Sequence, residues 1–164
     1  MFSARDPADL DRFFRGLAEH AFHGRLGVVD PPLVEYVSTL LVRFIRVEGL
    51  RPLAAVDVVA AVDVVAGEDG TRMLATAPQA SSDAAVDDYR QIGDYTLFWT
   101  GLYPEALRRV QQLDYRLAGK RAYWIASTLE PEDAADERLL LERLSHEYDI
   151  CVAGLAEVRR AWGE

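Results

Sequence analysis

Leu141-Glu142-Arg143-Leu144-Ser145-His146-Glu147-Tyr148-Asp149-Ile150-Cys151-Val152-Ala153-Gly154-Leu155-Ala156-Glu157-Val158-Arg159-Arg160-Ala161-Trp162 carries the most regular apolar pattern in the chain. Leu141, Leu144, Tyr148, Cys151, Leu155, Val158 and Trp162 follow one another at steps of 3, 4, 3, 4, 3 and 4. Those steps hold seven side chains to one face of a helix, and Pro131-Glu132-Asp133 opens that helix. The seam is expected to bury against other helices of the same chain. It also suits an isologous contact between two copies, because an apolar face that overran the bundle would otherwise meet water.

The same periodicity recurs upstream. Asp6 can cap a first helix with Pro7 at its first position, and Leu10, Phe13, Phe14, Leu17, Ala21 and Phe22 then share one face of a helix of about 18 residues. Asp30-Pro31-Pro32 repeats the device ahead of Leu33, Val34, Val37, Leu40, Leu41, Phe44 and Ile45, with Gly49 and Pro52 closing the run. Next comes the one internal repeat, Ala-Ala-Val-Asp-Val-Val at 54–59 and again at 60–65. It reads as a strand or as a helix over residues 53–66, and its helical neighbours favour helix. Residues 67–82 have no sustained period and form the main loop. Further helices are expected from about Asp83 to Leu102, in a short piece from Pro104 that carries Leu107 and Val110, and from about Leu113 to Leu129. The pattern predicts an all-α, single-domain bundle of six or seven helices spanning 1–164.

Composition bounds the function classes. The 164 residues are 50% hydrophobic and carry 27 acidic against 18 basic side chains, a formal net charge of -9. A chain this long can bury a core without staples. The negative balance disfavours nucleic acid, whose binding rests on clustered Lys and Arg. Cys151 is the single cysteine, so no intramolecular disulfide can form. The opening residues lack the charged and apolar regions of a leader, and the most apolar stretch, 53–66, is interrupted by Asp57 and Asp63 and is too short to span a membrane. A cytoplasmic protein is expected.

The chemistry concentrates in the centre, Arg90-Gln91-Ile92-Gly93-Asp94-Tyr95-Thr96-Leu97-Phe98-Trp99-Thr100-Gly101. Glycine inside a helix costs about 1 kcal/mol against alanine, so Gly93 and Gly101 call for a close neighbour. Gly119, Ala122 and Ala126 on a following helix offer a matching small stripe. Asp94 shares a face with Leu97 and Gly101, and a carboxylate at such a contact must be paired or hydrogen-bonded. Arg90, Tyr115 and Tyr123 are the expected partners. The arrangement reads as a polar knot between two helices, or as the floor of a pocket in which Asp94 is a base or an anchor.

Arg90-x-x-Gly93-Asp94-x-x-Leu97-Phe98-x-x-Gly101, with Leu107-Arg108-Arg109, Asp114-Tyr115, Gly119 and Ala122-Tyr123, resembles a family of uncharacterised bacterial proteins. That family has a Gly-Asp-x-x-Leu-Phe helix followed by a Tyr-x-x-x-Gly-x-x-Ala-Tyr helix. The resemblance spans about 35 residues, implies a shared helical fold and carries no activity. Family members place two adjacent tyrosines where this chain has Asp114-Tyr115.

Other constellations are weaker. His20, His23 and His146, with Glu19 and Glu142, could supply a nitrogen and carboxylate metal site, but the paired Glu-x-x-His motif of bundle di-metal sites is absent. Cys151 lies on the apolar seam and reads as an inert buried thiol. No phosphate-cradling or dinucleotide glycine motif occurs, no Gly-x-Ser-x-Gly elbow occurs, and no cofactor is expected. Arg108-Arg109 and Arg159-Arg160 read as solvated helix faces. The leading expectation is a non-catalytic binding or assembly module that self-associates as a homodimer. Its alternatives are a small-molecule-binding protein or enzyme with a pocket around Asp94, and a histidine and carboxylate metal-binding bundle.

Overall fold

Pro7 stands at the first position of α1 (Pro7–Glu19), where its fixed φ suits the helix and its missing N–H leaves no bond unmade. The computed structural model describes residues 7–45 and 82–163. The cap expected of Asp6, the closure at Gly49 and Pro52, the repeat at 54–65 and most of the loop at 67–82 lie outside the described residues. From His20 the helix widens into a π-helical turn (His20–Arg25), and Gly27, at φ 67, takes the left-handed conformation that a β-carbon disfavours and so ends the run. Helix α2 (Pro31–Ile45) follows, with the Asp30 carbonyl accepting from Val34 N–H at 3.0 Å and its carboxylate 3.4 Å from Leu33 N.

Helix α3 (Ser82–Leu102) runs through both internal glycines and ends at a 3₁₀ turn (Pro104–Ala106). Helix α4 (Arg109–Leu129) starts earlier than the spacing predicts, so Val110 belongs to it and no separate short α-helix forms. The reason is local: Gln111 Oε1 accepts from Arg108 N–H at 2.9 Å, and the Gln112 amide donates to the carbonyls of Pro104 at 2.9 Å and Leu107 at 3.2 Å. These bonds satisfy the ends that a new helix exposes.

The last predicted helix is two. Helix α5 (Ala135–His146) and α6 (Tyr148–Gly163) meet at Glu147, at φ -100 and ψ 19. The bend lets α5 pack chiefly on α4 while α6 packs chiefly on α3. The seam continues through it: Leu141, Leu144, Tyr148, Cys151, Leu155 and Val158 are all buried in the chain's own core. Trp162 is partly exposed, and its ring meets Phe14 edge-on at 5.3 Å. From Leu141 to Val158 the apolar face of the seam is thus covered from within the chain, as its spacing leads one to expect.

Six α-helices thus make up the described residues, with no strand among them, an all-α bundle as expected. One core draws on all six, through Phe14, Leu33, Leu97, Tyr123, Leu141 and Cys151 among others. No helix among the described residues is long and apolar enough to cross a membrane. Arg159, partly exposed and set against an acid, also has a structural part. It donates to the Leu102 carbonyl, pairs with Glu105 and lies 4.8 Å from the Tyr103 ring centre, which fastens the end of α3 to α6. Arg160 pairs with Glu157 one turn away at 2.9 Å, while Arg108 and Arg109 are exposed.

Cys151 is fully buried, and burial pushes its thiol up to about 12, with the fields of Glu147 and Asp30 adding to the shift. Since the thiolate is the reactive form, thiol reagents should label Cys151 only as fast as the protein opens. Labelling kinetics with a chromogenic disulfide check this, and stoichiometric reaction within minutes in native buffer would contradict it.

Candidate functional site

Asp94 lies two turns before the end of α3, on the face turned into the bundle, and none of its surface reaches solvent. Three donors from two other helices converge on its carboxylate. Tyr36 Oη of α2 donates to Oδ1 at 2.7 Å, Tyr123 Oη of α4 donates to the same oxygen at 2.7 Å, and the Arg43 guanidinium of α2 pairs with Oδ2. One acid thereby joins three helices. The charge is met by a cation and the acceptor lone pairs by three donors, which is the condition for holding a carboxylate out of water.

Tyr36 and Arg43 are seven residues, two turns, apart, so they rise from one side of α2 and both reach Asp94. Tyr123 approaches from the other side, and Gly93 makes room for it. A β-carbon on Gly93 would sit 2.6 Å from the Tyr123 ring, closer than real contacts allow. The neighbour that requires Gly93 is therefore a side chain and not a backbone. Gly101 likewise faces Leu155 of α6 and not the small stripe of α4.

Beside this knot lies a second polar contact. Tyr148 Oη of α6 donates to Thr96 Oγ1 at 3.0 Å, and Thr96 Oγ1 donates to the Gly93 carbonyl at 2.9 Å. Gly119 of α4 lies against it, and a β-carbon there would come within 2.5 Å of Thr96 Oγ1 and the Tyr148 hydroxyl. The rings of Tyr123 and Tyr148 are 6.2 Å apart, so the two contacts form one layer across the bundle.

The sequence-predicted residues separate. Asp94 and Tyr123 are joined as expected. Arg90 instead pairs with Asp87 at 2.9 Å and Glu137 at 3.8 Å, because it points along the surface of α3 toward α5. Tyr115 packs in a neighbouring cluster with Ile92, Ala118 and Ala122, its ring 6.2 Å from that of Tyr95. Tyr36 and Arg43 take the places expected of Arg90 and Tyr115. Their signal in the sequence is a phenol and a guanidinium one heptad apart on one side of α2.

Burial, followed by the charge of Asp94, holds the Tyr36 and Tyr123 phenols well above their usual range, and burial raises Tyr148 in the same direction. Arg43 is raised despite its partial burial, because Asp94 favours its charged form. The hydroxyls thus remain donors throughout the physiological range. In the unfolded chain phenols ionise near pH 10, whereas these three stay protonated when folded, so the native state binds more protons and stability falls as pH rises above about 10. Tyrosinate absorbance followed with far-UV dichroism should show these three ionising together with unfolding. Ionisation of all seven tyrosines near pH 10 with the fold intact would contradict it.

A cleft of about 280 Å³ opens beside the knot, between α2 and Leu140 of α5. Tyr36 and Arg43 line it with Glu35, Thr39 and Leu40, while Asp94 lies behind them and does not reach it. The carboxylate is thus closed off from a substrate in the cleft, to which a base would need access.

Among the described residues no group of three or more His, Cys, Asp or Glu side chains is gathered to hold a metal ion. His20 and His23 are exposed on the π-helical turn, and His146 stands edge-on to Trp124 at 5.7 Å. Compared with protein-family models, curated proteins and solved structures, the chain matches none.

Proposed function

We propose that this chain is a non-catalytic helical module, cytoplasmic, whose work is binding and self-assembly. The observation that carries this reading is the occupation of Asp94, the one buried acid among the described residues, by Tyr36, Tyr123 and Arg43. An acid with none of its own surface in solvent, whose oxygens accept from three donors on two other helices, serves to fix helices in register. The other candidate groups support no reaction: Cys151 is buried with its thiol raised, and the histidines are dispersed. The reading predicts a mass above that of one chain in sedimentation velocity, and Asp94→Asn, which keeps an acceptor, should retain that assembly. A single-chain mass at every concentration would overturn the assembly part.

A second reading rests on the cleft. Tyr36 and Arg43, which hold Asp94, also line its wall, and the half-exposed guanidinium retains donors for a small apolar carboxylate. Benzoate is a suitable probe, with amide shifts expected along residues 32–43 and at Leu140. No shift at millimolar benzoate would remove this reading.

A further inference from the structure

Helix α4 is apolar on both sides. Tyr115, Ala118, Gly119, Ala122, Tyr123 and Ala126 are buried against α3 and α5. On the opposite side Val110 is 69% exposed, Leu113 66%, Leu117 40% and Trp124 45%. At 3.6 residues per turn these four fall on one stripe, about half a turn away from the buried face. Exposed apolar side chains scattered singly are ordinary, but four on one stripe of one helix, rimmed by charged residues, mark a contact.

We infer that this face of α4 is where a second copy of the chain docks, the two α4 helices packing antiparallel about a twofold axis near Leu117. The inference rests on the self-assembly reading above and gives it a surface. The residues are self-complementary in that register. Leu117 meets Leu117 of the second copy at the axis, Val110 meets Trp124 so that small faces large, and Leu113 lies along the Lys120 stem and Trp124. Asp114 and Arg121 flank the stripe on the same side, seven residues apart. An antiparallel twofold brings like flanks together with their ends exchanged, so each Asp114 faces an Arg121 of the other copy, twice. A parallel twofold would put this flank of the two copies on opposite sides of the contact, and neither ion pair could form. Flanking charges of this kind set orientation in helix pairs. Arg121 also has an interaction within its own chain, which its several donors allow.

Sedimentation velocity over a concentration series tests the surface, with dichroism confirming the fold of each variant. Wild type should form a dimer, and Leu117→Arg, which sets two cations at the axis, should weaken it at least ten-fold. Asp114→Arg and Arg121→Asp should each weaken it, and mixing the two variants should restore a heterodimer in which both ion pairs are remade. Leu117→Cys should crosslink under mild oxidation, while Ala156→Cys, on an exposed position of α6, should not. A dimer unchanged by Leu117→Arg would overturn the α4 surface and leave self-assembly standing. Dissociation by Leu117→Arg without rescue in the mixture or crosslinking at Leu117→Cys would overturn the antiparallel register. A monomer throughout would overturn the surface and the assembly reading together.

Discussion

Asp94→Ala should destabilise the fold by about 3 to 4 kcal/mol at neutral pH, the largest effect expected of any substitution at a polar residue here. The carboxylate is the common acceptor of Tyr36 and Tyr123 and the counter-ion of Arg43. Removing it leaves two phenol hydroxyls without a partner, Tyr123 in a solvent-free position, at about 1 to 3 kcal/mol for each buried donor left unmade. Arg43 contributes less, because its side chain is 49% exposed and can turn to water once released. Asp94→Asn should cost less than Asp94→Ala, since the amide oxygen still accepts from a hydroxyl, although its amide nitrogen then opposes the guanidinium. Urea unfolding with a shared slope measures both differences.

Gly119→Ala should destabilise by about 2 to 3 kcal/mol, whereas Gly16→Ala in α1 should stabilise by about 1 kcal/mol. Both glycines sit inside helices, so alanine brings the same gain in helix propensity at each. The surroundings decide the sign. A β-carbon at Gly16 meets nothing within 4 Å, but at Gly119 it enters the Thr96 and Tyr148 contact at 2.5 Å. Tyr148 and Thr96 are both fully buried, so the shift that a β-carbon forces falls on their 3.0 Å bond and on the packing around it. Thermal unfolding of the pair checks the claim, and similar melting temperatures for the two variants would contradict it.

Periodicity was enough to read the helices whose apolar residues share one face. The seam is buried from Leu141 to Val158 as its spacing demands, and α2 begins at Pro31 as its cap predicts. What spacing does not encode is a bend without proline or glycine. Tyr148 is in phase with both Leu144 and Cys151, so the break at Glu147 leaves the pattern intact. It arises because α5 and α6 have different partners. The site was half legible for a similar reason. Asp94 advertised its need through its place beside Gly93 and Leu97, and Tyr123 followed from helical spacing. Tyr36 and Arg43 come from 58 and 51 residues away in sequence, on a helix whose contact with α3 no local pattern specifies. The outward apolar stripe of α4 was hidden by the same logic, since Val110 was read as part of a shorter helix.

The central claim is that Asp94 serves as a structural acceptor and that its polarity matters only to the donors that surround it. Replacing the set at once, in Tyr36→Phe, Arg43→Met and Asp94→Leu, removes the charge together with two donors and leaves one hydroxyl, Tyr123, which Tyr123→Phe removes in turn. Buried ionic networks exchanged for apolar side chains of similar volume are often neutral or stabilising, while breaking one member is costly. Urea unfolding of the fourfold variant beside Asp94→Ala is the direct measurement. The fourfold variant should recover most of the stability lost by Asp94→Ala and keep the same assembly state. A fourfold variant as unstable as Asp94→Ala, or an Asp94→Ala variant as stable as wild type, would contradict it.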